Sequence, residues 1–187
     1  MKVTIKSVRL GFPALHTPKP VGEGTDLRYS AAFPIAPGSA NAKAIDAAIA
    51  AAAKEKWNAK ADTIVAQIVK KGNSSYTEED LCNGNGEVYG GFEDMYALNA
   101  TSKARPTVID RDRTPLVEAD GKPYGGCYVN AIVDIWAQDN NFGKRINCQL
   151  QGIQFVKDGE AFGGGGVASA DEFEELEDIE GEDDDFV

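Results

Sequence analysis

The chain has 187 residues, enough for one globular domain with appendages but too few for two full domains. Its formal net charge is -11. Three cysteines without a CxxC pair and a single histidine predict neither a disulfide framework nor a zinc site, and we expect no cofactor. There is no membrane-length apolar run and no signal-peptide pattern, which predicts a cytoplasmic protein without a membrane partner.

The first part of the chain predicts two strands separated by a loop. Apolar residues alternate over residues 3–10 and again over residues 27–35, which is the period of half-buried strands. Between them, GFPALHTPKPVGEG is rich in proline and glycine and predicts a loop over residues 11–24. Pro34 predicts that the second strand lies near a sheet edge.

From about residue 41 the apolar pattern changes to helical spacing. An Ala-rich stretch carries one apolar stripe, and a second stripe follows Trp57 over residues 64–69. Gly72 ends the pattern. The sequence therefore predicts one or two helices, inserted near residues 41–71 into a chain that is otherwise β.

The clearest strand signals come late in the chain. Shorter candidates near residues 95–101 and 107–110 are followed by YVNAIVDIW and KRINCQLQGIQFV, which alternate apolar and polar residues and are joined by QDNNFGK. These two segments predict a hairpin with one buried face and one polar face that also carries aromatic residues. The whole pattern predicts a mainly β domain with inserted helices (α+β). An OB-fold-like antiparallel barrel is our leading interpretation, and a sandwich would give similar strands.

The excess negative charge lies at the end of the chain. Residues 171–187 hold eleven carboxylates and no lysine or arginine, so residues 1–170 carry nineteen acidic and nineteen basic side chains. Like charges one helical turn apart predict that this tail is disordered when free. The predicted organisation is a folded domain at 1–160, a Gly-rich linker at 161–170 and an acidic tail at 171–187.

The sequence contains no motif typical of an enzyme. The GGGG run at 163–166 is not followed by GK[ST], and GNGEVYGG lacks the spacing of a dinucleotide-binding fingerprint. His16 has no nucleophile motif near it. These observations favour a non-enzymatic protein.

Basic and aromatic residues occur together in the second half of the chain. Single-stranded nucleic acid requires cations for its phosphates and aromatic planes for its unstacked bases, and this chain offers both. The residues that we predict to bind nucleic acid are Lys103, Arg105, Arg111, Arg113, Tyr124, Tyr128, Trp136, Phe142, Lys144 and Arg145.

Plainer explanations of the same residues stay open. Tyr128 and Trp136 would equally suit a cover of the hairpin against the helices. Arg111 and Arg113 would equally suit a solvated turn in which they pair with the aspartates beside them. Cys127 and Cys148 are most simply small buried hydrophobic residues.

Three segments resemble a family of phage-encoded single-stranded DNA-binding proteins. They are RPTVIDRDRTPL at 105–116, YGGCYVNAIVDIWA at 124–137 and INCQLQGIQFVKDGE at 146–160, followed by the Gly-rich linker and the acidic tail. The resemblance implies an OB-fold that coats single-stranded DNA during phage replication and recombination, without marked sequence preference. It also implies a location in the infected host cell and possible self-association along DNA.

The tail resembles the acidic endings, closed by a hydrophobic residue, of other single-stranded DNA-binding proteins. Here GEDDDFV has no proline and carries Val after Phe, which favours phage-encoded partners. We hypothesise that the tail competes weakly with DNA for the binding groove. When displaced, it would recruit replication or recombination proteins through Asp183, Asp184, Asp185 and Phe186.

Three alternatives to this reading remain. One is that the tail is a solubilising segment without a specific ligand. An acidic DNA mimic or inhibitor would spread its negative charge over the folded surface, whereas this charge is confined to the tail. A phage nuclease or nuclease accessory would need a metal-binding carboxylate cluster in the domain, and none stands out.

Overall fold

A computed structural model describes residues 1–21 and 24–162. The predicted linker beyond Phe162 and the predicted acidic tail, including residues 183–186, lie outside the described residues. The helices are α1 (Ala40–Trp57) and α2 (Ala61–Lys70), and Asn58–Lys60 and Glu118–Asp120 are short 3-10 turns. The strands are β1 (Lys2–Arg9), β2 (Gly11–Pro20), β3 (Leu27–Ile35), β4 (Tyr76–Thr77), β5 (Tyr96–Ser102), β6 (Thr107–Ile109), β7 (Tyr128–Asn140) and β8 (Gly143–Lys157).

The eight strands form one curled sheet around a single main core. The order along the sheet is β1-β7-β8-β5-β3-β2, with β4 paired to β5 and β6 paired to β8. Every neighbour on this path is antiparallel except β5 and β8, which are parallel. Only Leu10 separates β1 from β2, so the chain itself joins the two ends of the path. The predicted fold class, a mainly β OB-like barrel with inserted helices, is confirmed.

The prediction of a loop over residues 11–24 is wrong for most of its length. Gly11–Pro20 forms β2 and pairs antiparallel with β3. The register between the two strands shifts at two places, and Pro13 and Pro18 lie within those irregular stretches. Proline is tolerated there because the ladder needs no backbone N–H donor at a bulge. Proline content therefore misled the prediction at a strand whose pairing is irregular.

Pro34 does not place β3 at an edge, since β3 lies between β2 and β5. The ladder between β2 and β3 ends at Ala32, and Pro34 lies beyond it while it still faces Ala97 of β5. Pro34 thus lies in a part of β3 that pairs with β5 but not with β2, and proline is tolerated at such a position.

A segment after α2 closes the gap between β5 and β8. These strands share a single residue pair, Thr101 with Gln149. Farther along, Ser75 bridges them, because its N–H donates to the Ile146 carbonyl (2.9 Å) and its own carbonyl accepts from the Asn99 N–H (2.8 Å). The helical insertion is therefore tied into the barrel wall.

The β7–β8 hairpin is the longest feature of the sheet. It pairs from Tyr128 opposite Lys157 to Asn140 opposite Gly143, with register shifts between Tyr128 and Val129 and between Ile132 and Val133. The apolar residues predicted to share one face are all buried: Val129, Ala131, Val133, Ile135, Ile146, Cys148 and Leu150. The opposite face of the hairpin points outward.

Residues 78–95 cover one end of the outward face of β3 and β5. Phe92 is fully buried there and packs with Ala32 of β3 and Ala97 of β5 in a small second cluster. The other end of this face, around Thr101, is left open and borders the β7–β8 hairpin. No helix among the described residues is long and apolar enough to cross a membrane.

Candidate nucleic-acid interface

An open groove lies where the outward faces of β5, β7 and β8 meet. We call it the Trp136 groove; its volume is about 660 Å³, and it is lined by Arg28, Thr101, Lys103, Trp136, Asn147 and Gln149, among others. The face formed by strands 2 and 3 of an OB-fold, together with its adjoining loops, is where such barrels bind oligonucleotides. Only Leu10 separates β1 from β2, so the two count as the first OB strand and β3 and β5 are the second and third. The groove therefore opens on the face that this fold uses for nucleic acid.

Trp136 supplies an aromatic surface in this groove. Its side chain is 43% exposed on the outward face of β7, opposite Asn147 of β8. Trp57, in contrast, is buried at the end of α1, where its indole N–H donates to Asp139 Oδ2 (2.8 Å). Trp136 is therefore the more accessible of the two indoles, although it also borders Glu55 and Lys56 of α1, so the explanation that it covers the hairpin against the helices stays open.

Two cations share one carboxylate at the same groove. Arg28 Nη2 lies 2.7 Å from Asp26 Oδ2, and Lys103 Nζ lies 3.9 Å from the same oxygen. The hydrogen bond from Arg28, and then the charge of Lys103, hold the pKa of Asp26 below its usual value. The three groups together leave one positive charge beside Trp136. Arg28 was not among the predicted binding residues.

The charge distribution of the domain favours phosphate at the open end of the outward face of β3 and β5. Residues 72–102 contain six acidic side chains and no lysine or arginine, so the rest of the neutral domain carries a surplus of positive charge. Most of that acidic stretch belongs to the segment that covers the far end of β3 and β5. A phosphate is therefore attracted toward the open end.

The tip of the β7–β8 hairpin carries three of the predicted residues. Phe142 is 91% exposed in the turn. Arg145 is exposed opposite Gln138, whereas Lys144 forms an ion pair with Asp139. Hydrogen bonds from Lys144 and then from the Trp57 indole lower the pKa of Asp139. Asp139 thus joins the hairpin tip to the end of α1 and holds Lys144 there.

Arg105 is directed toward β2. Its Nη2 lies 3.1 Å from Nδ1 of His16. A guanidinium only donates, so His16 must accept through Nδ1, which places the proton of a neutral ring on Nε2. The structure therefore brings Lys103 to the Trp136 groove but directs the next basic residue of the same loop elsewhere.

Tyr124 and Tyr128 lie at the other end of the hairpin and contact protein groups. The Tyr124 hydroxyl donates to Asp158 Oδ1 (2.8 Å) and accepts from the Gly159 N–H (3.2 Å). Burial, and then the bond to Asp158, raise the pKa of Tyr124. Lys157 Nζ lies 4.6 Å from the centre of the Tyr128 ring. The structure does not bring these two rings to the Trp136 groove.

Arg111 and Arg113 do not pair with the aspartates beside them. Asp110 forms an ion pair with Lys122 (2.7 Å), and Asp112 accepts the Thr114 N–H (2.9 Å). Within residues 1–21 and 24–162, neither guanidinium has an ion-pair partner. The interpretation of this turn as a set of arginine–aspartate pairs is wrong, and both arginines keep their charge available.

Of the three cysteines, Cys82 is exposed, and Cys127 and Cys148 are buried. No group of three or more metal-ligating side chains occurs among the described residues. Burial raises the pKa of Cys127, and that of Cys148 to about 12, so both remain protonated thiols. The two cysteines behave as small buried hydrophobic residues, as predicted.

Comparison with known proteins gives one consistent result. The model of a family described as Enterobacter phage Enc34, ssDNA-binding protein, matches residues 1–187. A protein named p50 from Acyrthosiphon pisum secondary endosymbiont phage 1 is 41% identical over 180 residues, which is 94% of each chain.

Solved structures similar to this chain include two phage proteins. The single-stranded DNA-binding protein from bacteriophage Enc34 in complex with ssDNA is 27% identical, with a TM-score of 0.70 over 87% of this chain and 89% of that one. The single-stranded DNA-binding protein gp2.5 of bacteriophage T7 is 16% identical, with a TM-score of 0.52 over 96% and 99% of the two chains, which shows likeness of fold alone.

Proposed function

This chain belongs to the single-stranded DNA-binding protein family of Enterobacter phage Enc34, and on that basis we propose that it binds single-stranded DNA in the Trp136 groove. The observation that carries the proposal is the exposed indole of Trp136 beside the cations Arg28 and Lys103. The matching family and the two solved structures are described as single-stranded DNA-binding proteins, in agreement with the non-enzymatic role expected from the sequence.

The proposed mode of binding combines stacking with phosphate neutralisation. A base stacks on Trp136, and a second base can stack on Phe142 at the hairpin tip. Arg28, Lys103 and Arg145 attract the phosphates. Stacking accepts every base, because each base has an aromatic face, so the mode implies little sequence preference. Several copies could then lie along one strand of DNA.

We further propose that the acidic tail competes with DNA for the same groove. Its eleven carboxylates adjoin a neutral domain, and tethering gives them a high local concentration near the groove. The ion pairs of Asp26 with Arg28 and Lys103 support this proposal, because they place a carboxylate between the two cations to which we assign a phosphate. When DNA displaces the tail, residues 183–186 would become available to phage replication or recombination proteins in the infected cell.

A fluorescence titration with oligo-dT at two salt concentrations tests DNA binding. Because Trp57 and Trp136 are the two tryptophans of the chain, their signals can be separated with Trp57→Phe and Trp136→Phe. We expect quenching to persist in Trp57→Phe and to disappear in Trp136→Phe, and to weaken at higher salt. Absence of both quenching and a mobility shift for the wild type at low salt would refute the proposed function.

Deletion of residues 171–187 tests the competition. The matched control keeps the length of the tail but replaces its carboxylates by the corresponding amides. Both variants should bind oligo-dT more tightly than the full chain, most clearly at low salt, because both lose the competing charge. Equal affinities of all three proteins at low salt would contradict the competition.

The recruitment of partners has a separate test. Removal of residues 183–186 alone should abolish contact with the phage replication or recombination enzymes and leave most of the competing charge in place. Contact that survives this truncation would contradict the assignment of Asp183 to Phe186 as the recruiting residues.

A further inference from the structure

A second groove lies on the same outward face of the β7–β8 hairpin. We call it the Ile132 groove; its volume is about 380 Å³, and it is lined mostly by apolar surface together with the side chains of Lys2, Asn130, Gln151 and Gln154. Ile132 is 41% exposed at its floor, on a strand whose other aliphatic residues point into the core. The groove is independent of the Trp136 groove, and the binding mode proposed above does not use it.

The floor and rim of the Ile132 groove have the chemistry that a nucleobase requires. Ile132 pairs across the hairpin with Gly152, which has no side chain, so the two residues form a low apolar floor. Of the amide side chains around it, Asn130 donates through Nδ2 to Gln154 Oε1 (3.2 Å), whereas Gln151 has no side-chain hydrogen bond among the described residues and can meet the edge of a base. A base has an apolar face and hydrogen-bonding edges, and this combination of floor and rim matches both.

Positive charge stands beside this groove. The Gln154 side chain, which lines the groove, donates through Nε2 to the Arg111 carbonyl (3.3 Å), and this contact places the turn with Arg111 and Arg113 next to the groove. Lys2 adds a third cation. As shown above, the aspartates of the turn are engaged by Lys122 and by a backbone N–H. Both aspartates stay charged, so the two arginines, two aspartates and Lys122 together carry one net positive charge, to which Lys2 adds a second. The groove therefore has an apolar floor with net positive charge at its side, which fits a phosphate-bearing ligand.

The two grooves lie in line along the hairpin. Trp136 and Ile132 are four residues apart on the same face of β7, which is about 13 Å at the rise of a strand. Asp134 stands between them, and its carboxylate accepts a hydrogen bond from the ammonium group of Met1 (2.7 Å). Its negative charge is thus compensated and does not separate the two grooves electrostatically.

We propose that single-stranded DNA bound at Trp136 continues along the hairpin and places further nucleotides in the Ile132 groove. A base would lie on Ile132 and Gly152, and the phosphates would contact Arg111 and Arg113. This inference rests on the proposed function, since it extends the path of the same DNA. It also explains why the predicted cations fall into two groups at different positions along the face.

The test compares oligo-dT of two lengths, about 4 and about 16 nucleotides, which span the usual site sizes of one OB-fold. The full chain is compared with Arg111→Gln/Arg113→Gln and with Trp136→Ala. Lys43→Gln/Lys54→Gln, at exposed positions of α1, is the control for a loss of two positive charges. Ile132→Asn removes the apolar floor without a change of charge. Thermal melting of each variant confirms that the fold is retained.

We expect Arg111→Gln/Arg113→Gln to weaken binding of the long oligonucleotide about tenfold at low salt and to reduce the slope of log affinity against log salt by about 1.4. Binding of the short oligonucleotide should stay within a factor of two of wild type. Ile132→Asn should weaken binding of the long oligonucleotide several-fold and of the short one little. The lysine control should change neither.

Two results would overturn the inference while the proposed function stands. One is unchanged affinity and salt slope for the long oligonucleotide in both groove variants, with binding still weakened in Trp136→Ala. The other is an effect that vanishes once residues 171–187 are deleted, which would make the tail the occupant of this groove. If Trp136→Ala binds both lengths as well as wild type does, the proposed function itself fails.

Discussion

The two ends of the β7–β8 hairpin carry similar residues but present them differently. Near the tip, Trp136 and Phe142 expose aromatic surface to solvent. Near the base, the hydroxyl of Tyr124 is bound to Asp158, and Lys157 lies over the ring of Tyr128. Aromatic and basic residues in the sequence therefore predict exposed surface and contacts within the protein equally well. What separates the ends is whether each group already has a partner within the protein.

The cations show the same contrast. Lys144 forms an ion pair with Asp139 and supports the hairpin. The aspartates beside Arg111 and Arg113 instead bind Lys122 and the Thr114 N–H. A basic residue beside an acidic one in sequence is thus not necessarily paired with it. Which carboxylate reaches which cation is decided by the fold of the turn and by side chains from elsewhere.

The largest effect that would test this contrast is expected from Trp136→Ala. Loss of the stacking surface should weaken binding of oligo-dT by ~1–3 kcal/mol. The thermal midpoint should change little, because the side chain faces outward and lies outside the main core. Titration by anisotropy, which does not depend on the lost fluorophore, measures the affinity. Wild-type affinity in this variant would mean that exposure at the tip does not mark the binding surface.

Phe142→Ala should have a smaller effect of the same kind. The ring is more exposed than that of Trp136, but it stands in a turn, where a stacked base is held from one side only. We expect a loss of about 1 kcal/mol, the lower end of the range for base stacking. Stability should be unchanged. A loss as large as that of Trp136→Ala would move the centre of the site to the tip.

The hairpin could be predicted from the sequence because its strands have one buried and one outward face. Period-two alternation identifies both strands and the residues of the buried face. The same rule misses the register shift beside Gly152, after which Ile153 is buried out of phase with Leu150. It also misses β2, whose prolines lie where pairing is irregular. Regular pairing leaves a periodic signal, and bulges do not.

The candidate site could be predicted only in part, because it is assembled by long-range pairing. Lys103 reaches the Trp136 groove because Thr101 of β5 pairs with Gln149 of β8, forty-eight positions later. Arg28 joins them from β3, and no local pattern distinguishes it from other basic residues on outward strand positions. The partner of Tyr124 is likewise distant in sequence. Residue types indicated the chemistry, and the barrel determines which residues meet.

Tyr124→Phe tests the base of the hairpin. The variant keeps the aromatic ring and removes the hydroxyl that bonds Asp158 and Gly159. We expect a loss of stability of about 1 kcal/mol, the typical value of such a hydrogen bond. Affinity for oligo-dT should be unchanged, because the hydroxyl serves the protein. Chemical denaturation and a DNA titration measure the two quantities. A weaker affinity with unchanged stability would reverse the contrast between the two ends.

The smallest effect is expected from Asp139→Asn, a change at the residue that binds both Lys144 and Trp57 near the hairpin tip. The pKa of Asp139 is lowered by Lys144 and Trp57. A carboxyl whose pKa is lower in the folded than in the unfolded protein stabilises the fold at pH values above its unfolded pKa, about 3.9. This contribution disappears as the pH falls through the folded pKa. Thermal melting should therefore show Asp139→Asn to be slightly less stable than wild type at pH 7. The difference should vanish in acid below the folded pKa. A difference that is equal at both pH values would show that the ion pair with Lys144 does not hold the tip, and that the hydrogen bond to Trp57 alone does.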